Sequence, residues 1–240
     1  MTNDEFRLTN LGNAVLAAGA LFALSMLGCA TREPEKTTEA AARAEEPTSL
    51  RSPAVDDRRV IVALGDSLTA GLGVETEDNY PSRLQEKLDA GGFRYRIVNA
   101  GVSGDTSAQG LNRLEAVREL RPAIVIVALG ANDGLRGLPV ETTRENLDAI
   151  LRAIREDGSK IVLAGMEIPP NYGPDHTRAF RAIFPDLARR HGTALIPFLL
   201  DGVGGNPELN QEDGIHPTAE GYRIVAENVW KVLQPLLLRD

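Results

Sequence analysis

Three residue types that together support nucleophilic catalysis occur in two motifs far apart in the chain. Asp213 and His216 stand three residues apart in the stretch DGIHP, where a carboxylate can orient an imidazole and stabilise the imidazolium. Ser67, in the stretch GDSLTAG, stands on a tight turn after a predicted strand, where its hydroxyl can face a ligand crevice. Each motif alone is more often a turn or a helix start, so a hypothesis of catalysis depends on their combination.

Two further motifs at the ends of predicted strands offer hydrogen-bond donors to a bound ligand. Gly101 lies in the stretch NAGVSGDTS, and without a side chain its amide can approach a ligand closely. Asn132 lies in the stretch LGANDG and carries a side-chain amide. The simpler interpretations are a turn in which Asp105 or Thr106 caps the next helix, and an Asx turn at Asn132.

The elements that must position these residues follow from the hydrophobic pattern. Short runs rich in β-branched residues predict five buried parallel strands, at residues 60–64, 95–99, 124–129, 160–164 and 194–196. Helical patterns lie between the runs. They comprise one apolar face, a repeat of apolar residues every three positions and a last helix near residues 218–236. The apolar face consists of Leu147, Ile150, Leu151 and Ile154, and the repeat of Leu111, Leu114, Val117 and Leu120.

This alternation predicts an α/β fold of the doubly wound, flavodoxin-like type. We expect a five-stranded parallel sheet with helices on both faces, giving three αβα layers. In such sheets the ligand crevice lies at the carboxyl ends of the strands. Ser67, Gly101 and Asn132 all stand just after predicted strands.

The N-terminal part of the chain differs in character from the rest. An apolar run at residues 11–27 ends just before Cys29 and predicts an export signal over residues 1–29, although a permanent transmembrane helix is an alternative. The Leu-Gly-Cys end resembles the lipobox of bacterial lipoproteins, which implies lipidation of Cys29. Residues 30–57 contain almost no large apolar residues and predict a disordered linker before a domain at 58–240. We therefore expect an exported, periplasmic protein anchored in a membrane.

Composition excludes several other functions. A net charge of −8 and a pI near 5.1 provide no broad basic face, so nucleic acid is not an expected partner. A single cysteine excludes an internal disulfide, and the three histidines do not stand at zinc-ligand spacings. No GxxxxGK loop is present. We expect neither a metal nor a cofactor, and the sequence does not predict the oligomeric state.

Taken together, the four motifs resemble the SGNH or GDSL hydrolase family, whose four blocks occur here in order. They are most similar to its branch of arylesterases, acyl-CoA thioesterase I and lysophospholipases. The resemblance implies that Ser67 is the nucleophile, His216 the general base and Asp213 the residue that orients it. It also implies an oxyanion hole formed by the Ser67 amide, the Gly101 amide and the Asn132 side chain.

The resemblance implies a serine esterase that acts on carboxylic esters or thioesters through an acyl-enzyme. Leu138, Ile168, Tyr172 and Phe198 are candidates for an apolar groove that binds an acyl chain, or else for ordinary loop packing. Because an exported enzyme meets little acyl-CoA, we expect lysophospholipids and other small carboxylic esters to be the main substrates. Two alternatives stay open: an O-acetyl esterase of cell-wall glycans, and a tethered binding lipoprotein without catalytic activity.

Overall fold

The computed structural model of the protein describes residues 56–239. The predicted export signal, Cys29 and nearly all of the predicted linker lie outside the described residues, so these boundaries stay predictions. No helix within residues 56–239 is long and apolar enough to cross a membrane.

The sheet has five parallel strands in the order β2-β1-β3-β4-β5. The strands are β1 Arg59–Gly65, β2 Tyr95–Gly101, β3 Ile124–Ala128, β4 Lys160–Ala164 and β5 Ala194–Ile196. Every residue of β3 is buried, as is every residue of β1 after the first. Strands covered on both faces read as continuous apolar runs rather than alternating ones, which is why the sequence pattern located them.

Eight α-helices connect and cover these strands in the described part of the chain. They are α1 Ser67–Ala70, α2 Tyr80–Ala90, α3 Ser107–Asn112, α4 Leu114–Glu119, α5 Ala131–Leu135, α6 Val140–Glu156, α7 Pro174–His191 and α8 Ala219–Leu233. Helices α2 and α8 pack against each other, and α6 packs against both α3 and α7. The helices thus cover both faces of the sheet, and the predicted α/β doubly wound fold is confirmed.

The apolar face predicted for α6 is fully buried, at Leu147, Ile150, Leu151 and Ile154. The three-residue repeat after β2, in contrast, is divided between α3 and α4, which meet at Arg113. Its last member, Leu120, lies beyond α4 and is 37% exposed. A repeat of three residues drifts around a helix of 3.6 residues per turn, so it does not maintain one buried face.

The strand order places a topological switch point between β1 and β3. Within the sheet, β2 is the neighbour of β1 on one side. The chain then crosses to β3, which is the neighbour of β1 on the other side. Loops that leave neighbouring strands in opposite directions open a crevice at the carboxyl edge. Ser67 follows β1 and Asn132 follows β3, so both stand at this crevice.

Candidate active site

Ser67, His216 and Asp213 form a hydrogen-bonded chain at the carboxyl edge of the sheet. The Nε2 atom of His216 lies 2.8 Å from the Ser67 hydroxyl oxygen, across 149 residues of sequence. The Nδ1 atom of the same ring lies 2.6 Å from Oδ2 of Asp213. The structure therefore brings together the three residues that the sequence predicts as nucleophile, base and orienting acid.

The Asp213 carboxylate is held in its ionised form. A hydrogen bond from the His216 ring, followed by backbone N–H donors of His216 and Ile215, lowers its pKa to about 2. These backbone groups donate to Oδ1 at 3.0 and 2.8 Å, which leaves Oδ2 for the imidazole. A carboxylate fixed in this way sets the orientation of the ring and keeps a proton on Nδ1.

The turn after β1 places Ser67 at the first position of α1. Asp66 caps this helix, because its Oδ1 accepts the Leu68 N–H at 3.0 Å. The N–H of a residue at the first helical position has no acceptor within the helix. Within residues 56–239 no hydrogen bond uses the Ser67 N–H, so this amide is available to a ligand. Ser67 thus offers both a hydroxyl in contact with His216 and a backbone N–H at the same turn.

The loop before α8 places His216 against this turn. An antiparallel bridge joins Asn210 to Pro217, and the Gln211 N–H donates to the His216 carbonyl at 2.7 Å. The Gln211 side-chain amide then donates to the carbonyls of Leu72 at 2.7 Å and Pro217 at 2.9 Å. Gln211 therefore ties the histidine loop directly to the serine loop, a role that no sequence pattern predicted.

Asn132, in α5, places its side-chain amide beside the turn that carries Ser67. Its Nδ2 atom donates to the Asp105 carbonyl at 3.0 Å and makes a longer contact of 3.4 Å with Oδ2 of Asp66. The first bond fixes the orientation of the amide. The second is long for an N–H···O bond, so its N–H can be given up to an oxyanion.

The amide of Gly101 does not fit the role that the sequence predicted for it. Gly101 lies within β2, and its N–H already donates to Oδ1 of Asn99 at 2.9 Å. A Cβ at this position would lie 2.2 Å from the Ala70 nitrogen, so the glycine allows β2 to pack closely against α1. The prediction of Gly101 as an oxyanion donor is therefore corrected: the residue has a packing role.

Gly104, three residues later in the same motif, has the free amide instead. Its φ of 87° lies in the left-handed region that favours glycine. Within residues 56–239 no hydrogen bond uses its N–H. Gly104 also directly precedes Asp105, whose carbonyl holds Asn132.

Two buried acidic side chains fix the motifs relative to one another. Asp133 accepts the backbone N–H of Ser107 at 2.8 Å and its hydroxyl at 2.5 Å, which joins α5 to the start of α3. Asp105 pairs with Arg113 at 2.6 Å, and Arg113 also donates to the Gly65 carbonyl at 2.8 Å. Thr106, not Asp105, caps α3.

The candidate substrate-binding residues do not form one groove. Ile168 is 6% exposed and belongs to the hydrophobic core, where a Cβ on Gly134 would lie 2.3 Å from its Cγ2. Its predicted role in lining a groove is therefore corrected, because core packing against α5 already covers it. Tyr172 and Leu138 are half-buried beside α5, and the Tyr172 hydroxyl donates to the Leu135 carbonyl at 2.5 Å. Phe198 lies apart from them, in a depression that Glu167 and Arg181 also line.

The other two histidines lie outside this site. His191 ends α7 and lies 2.9 Å from the Asp148 carboxylate on α6. His176, also in α7, lies beside the Tyr172 ring at 6.2 Å between centroids. In the described residues no group of three or more His, Cys, Asp or Glu side chains is placed to hold a metal ion.

Comparison with known proteins identifies the family. The sequence model of the GDSL-like lipase/acylhydrolase family matches residues 63–224, from β1 into α8. The chain belongs to this family. The resemblance inferred from the four motifs is thereby confirmed.

Relatives of this GDSL hydrolase match about three quarters of the chain. "Esterase TesA" of Pseudomonas aeruginosa is 44% identical over 180 residues, which are 75% of this chain and 90% of the relative. "Thioesterase 1/protease 1/lysophospholipase L1" of Escherichia coli K12 is 38% identical over 181 residues, 75% of this chain and 86% of the relative.

Solved structures agree with this assignment. The crystal structure of TesA superposes with a TM-score of 0.73 at 44% identity, covering 75% of this chain and all of the other. Esterase EstA from Pseudoalteromonas, solved with monoethylphosphonate as inhibitor, superposes with a TM-score of 0.70 at 32% identity, covering 74% of this chain and 97% of EstA.

Proposed function

We propose that this GDSL hydrolase is a serine esterase that cleaves carboxylic esters or thioesters through an acyl-enzyme formed on Ser67. The observation that carries the proposal is the continuous contact from Ser67 Oγ through both ring nitrogens of His216 to Asp213, at 2.8 and 2.6 Å. The relatives named esterase and thioesterase, matched over most of their length, support the same reaction class.

The contacts determine the direction of proton transfer. With the Nδ1 proton donated to Asp213, Nε2 of His216 is left as an acceptor for the Ser67 hydroxyl. As Ser67 attacks the carbonyl carbon, Nε2 takes its proton and then delivers it to the leaving alcohol or thiol. Water repeats the sequence on the acyl-enzyme, which releases the acid and restores the hydroxyl.

Three donors are available for the oxyanion of the tetrahedral intermediate. We propose the Ser67 amide, the Asn132 side-chain amide and the Gly104 amide, the last in place of Gly101. Donors that are already oriented stabilise the developing charge without reorganisation, and removing one lowers kcat by roughly 10²–10³-fold. Asn132 suits this role because its bond to Asp105 fixes the amide before substrate binds.

The proposal is tested by covalent labelling and by hydrolysis of a chromogenic aryl ester. We expect a fluorophosphonate to label the chain on Ser67, and both Ser67→Ala and His216→Ala to abolish turnover. Asn132→Ala should lower kcat by about 10²–10³-fold with an unchanged circular dichroism spectrum. Unchanged turnover in the Ser67→Ala variant, or a label on another residue, would contradict the proposal.

For the substrate, we propose small carboxylic esters and lysophospholipids in preference to acyl-CoA. The proposal rests on the predicted export of the chain, since acyl-CoA is scarce outside the cytoplasm. A comparison of kcat/KM on an aryl acetate, lysophosphatidylcholine and an acyl-CoA tests it. Preference for the acyl-CoA would reverse this order, and activity confined to acetyl esters would favour the alternative of a glycan O-acetyl esterase.

We also propose that the enzyme is exported and anchored through a lipid on Cys29. The support is the sequence alone: the apolar run at residues 11–27, the Leu-Gly-Cys end and the polar stretch that follows it. The anchor would confine the domain to the neighbourhood of a membrane.

A further inference from the structure

Exposed apolar side chains gather at one edge of the described domain. Within residues 56–239, five large apolar side chains are exposed, and three of them belong to the loops of the candidate active site. These three are Leu72, Val102 and Ile215, with exposed fractions of 46%, 45% and 41%. Leaving such groups in water is unfavourable, and their clustering is typical of an interaction surface.

Each of the three is joined to the catalytic motifs by one hydrogen bond of its own main chain. The Leu72 N–H donates to the Ser67 carbonyl at 3.1 Å, and the Val102 N–H donates to the Gly65 carbonyl at 3.0 Å. The N–H of Ile215 donates to the Asp213 carboxylate at 2.8 Å. They come from three separate loops, each bonded to a residue of the catalytic motifs. We call these three side chains the apolar rim.

The other two exposed apolar side chains lie at the opposite edge of the sheet. Leu120 follows α4 and precedes β3, and is therefore at the amino end of that strand. The Leu238 N–H donates to the hydroxyl of Tyr95, the first residue of β2. These two provide a matched control, because they are similarly exposed but remote from Ser67.

We propose that the apolar rim docks on an electrically neutral lipid surface, so that Ser67 meets an ester presented at that surface. A lipid surface can contact exposed side chains on three separate loops at once, which a single acyl chain does less well. The net charge of −8 argues for zwitterionic rather than anionic lipid, since an acidic protein is repelled by negative headgroups. The identity of the ester rests on the proposed function, whereas the docking itself does not.

The chain between Cys29 and the domain is long enough for this orientation. From Cys29 to Asp56 there are 27 residue steps, which reach at most about 90 Å when fully extended. The domain begins at the amino end of β1, whose seven residues span about 23 Å. A lipid on Cys29 would therefore allow the opposite, carboxyl edge of the sheet to face the same membrane.

The test measures vesicle binding with the segment 53–240 and the substitution Ser67→Ala, so that neither an anchor nor hydrolysis contributes. The TesA crystal chain matches 75% of this chain over its own full length. A segment of about this size is therefore sufficient to form the fold. With phosphatidylcholine vesicles, we expect Leu72→Ser, Val102→Ser and Ile215→Ser combined to weaken partitioning by at least about tenfold. The control, Leu120→Ser with Leu238→Ser, should bind as tightly as the parent.

Kinetics with Ser67 intact supply the second measurement. The rim variant should lose several-fold more activity on lysophosphatidylcholine held in vesicles than on a soluble aryl acetate. Unchanged vesicle binding of the rim variant, an equal loss in the control, or equal losses on both substrates would overturn the proposal. If Ser67 fails to react with a fluorophosphonate while the rim still governs vesicle binding, the proposed function fails and the docking surface stands.

Discussion

The carboxyl group of Asp66 is buried beside the catalytic serine, and within residues 56–239 it forms no salt bridge with an arginine or lysine. It accepts the Leu68 N–H at 3.0 Å and touches the Asn132 amide at 3.4 Å, and it has no exposed surface. Burial raises its pKa to about 6, although these donors and the His216 ring oppose the shift. Its ionised form at neutral pH is therefore maintained at a cost in stability, close to the ring that becomes cationic during catalysis.

This raised pKa predicts a pH-dependent stability. The pKa of Asp66 is higher in the folded state than its ordinary value of 3.8, so the folded state binds the proton more tightly. Stability from this group is then complete below about pH 4 and falls as pH rises through about 6, by about 3 kcal/mol in all. Asp66→Asn keeps an oxygen acceptor for Leu68 and removes this loss.

Urea unfolding of Asp66→Asn and its parent at pH 4, 5, 6 and 7 checks the prediction. We expect the difference in unfolding free energy to shift in favour of the variant by about 2–3 kcal/mol between pH 4 and pH 7. A difference that is the same at all four values would mean that Asp66 keeps its ordinary pKa in the fold.

At the scale of single residues, the sequence predicted the catalytic side chains better than it predicted which backbone N–H groups are free to bind an oxyanion. Ser67, Asp213 and His216 are brought together as expected, because their types alone limit what they do. Gly101 and Gly104 stand in the same motif, and only the hydrogen bond from Gly101 to Asn99 shows which amide is occupied. The burial of Ile168 likewise depends on the absence of a side chain on Gly134, in another part of the chain.

At the scale of elements, the site depends on a few polar side chains that reach between loops. Arg113 reaches back 48 residues to the Gly65 carbonyl, and Gln211 reaches 139 residues back to Leu72. Such contacts leave no periodic signal in the sequence, unlike the apolar runs of the strands. They could not be predicted for that reason, although they determine how the loops are held relative to each other.

Gln211 provides a test of this role. Gln211→Ala removes the side-chain bond to Leu72 in the serine loop and the side-chain bond to Pro217 within the histidine loop. It keeps the main-chain bond to His216. A small displacement of a catalytic base lowers the rate of the chemical step. We therefore expect kcat on an aryl ester to fall by about tenfold with little change in KM. Unfolding free energy should fall by about 1–2 kcal/mol.

Gln85 offers the matched control for that variant. It ties α2 to β2 in the same manner, accepting the Ile97 N–H at 2.7 Å and donating to the Tyr95 carbonyl at 3.1 Å, in a part of the fold away from Ser67. Gln85→Ala should cost similar stability and leave kcat unchanged. Equal kcat losses in the two variants would mean that general loosening of the fold, rather than placement of His216, explains the effect.

At the scale of the whole molecule, the fold was the most predictable feature. All five strands lie where the apolar runs predict them, with ends that differ by at most two residues. A strand buried on both faces requires a run of apolar, mostly β-branched residues, so its position can be predicted from that short stretch of sequence alone. The order of the strands then places the site at the switch between β1 and β3.

The proposed anchor on Cys29 concerns the whole chain and has its own test. In a bacterial host, we expect the full chain to sediment with membranes, to resist washing with salt and to dissolve in detergent. Hydrophobic anchoring is insensitive to salt, whereas salt screens attachment to a membrane by charge. Mass spectrometry should find the peptide that carries Cys29 at the N-terminus, heavier by its attached lipid.

Cys29→Ser separates the anchor from the apolar rim. The thiol is the atom that a lipid would modify, so the variant should lose the lipid mass and lose resistance to salt washing, while its turnover of a soluble aryl ester is unchanged. Because the rim alone would bind a lipid surface weakly and reversibly, we expect a small residual membrane fraction that Leu72→Ser, Val102→Ser and Ile215→Ser together abolish. If Cys29 is unmodified in a membrane-bound chain, the uncleaved apolar run at residues 11–27 would instead be what holds the chain in the membrane.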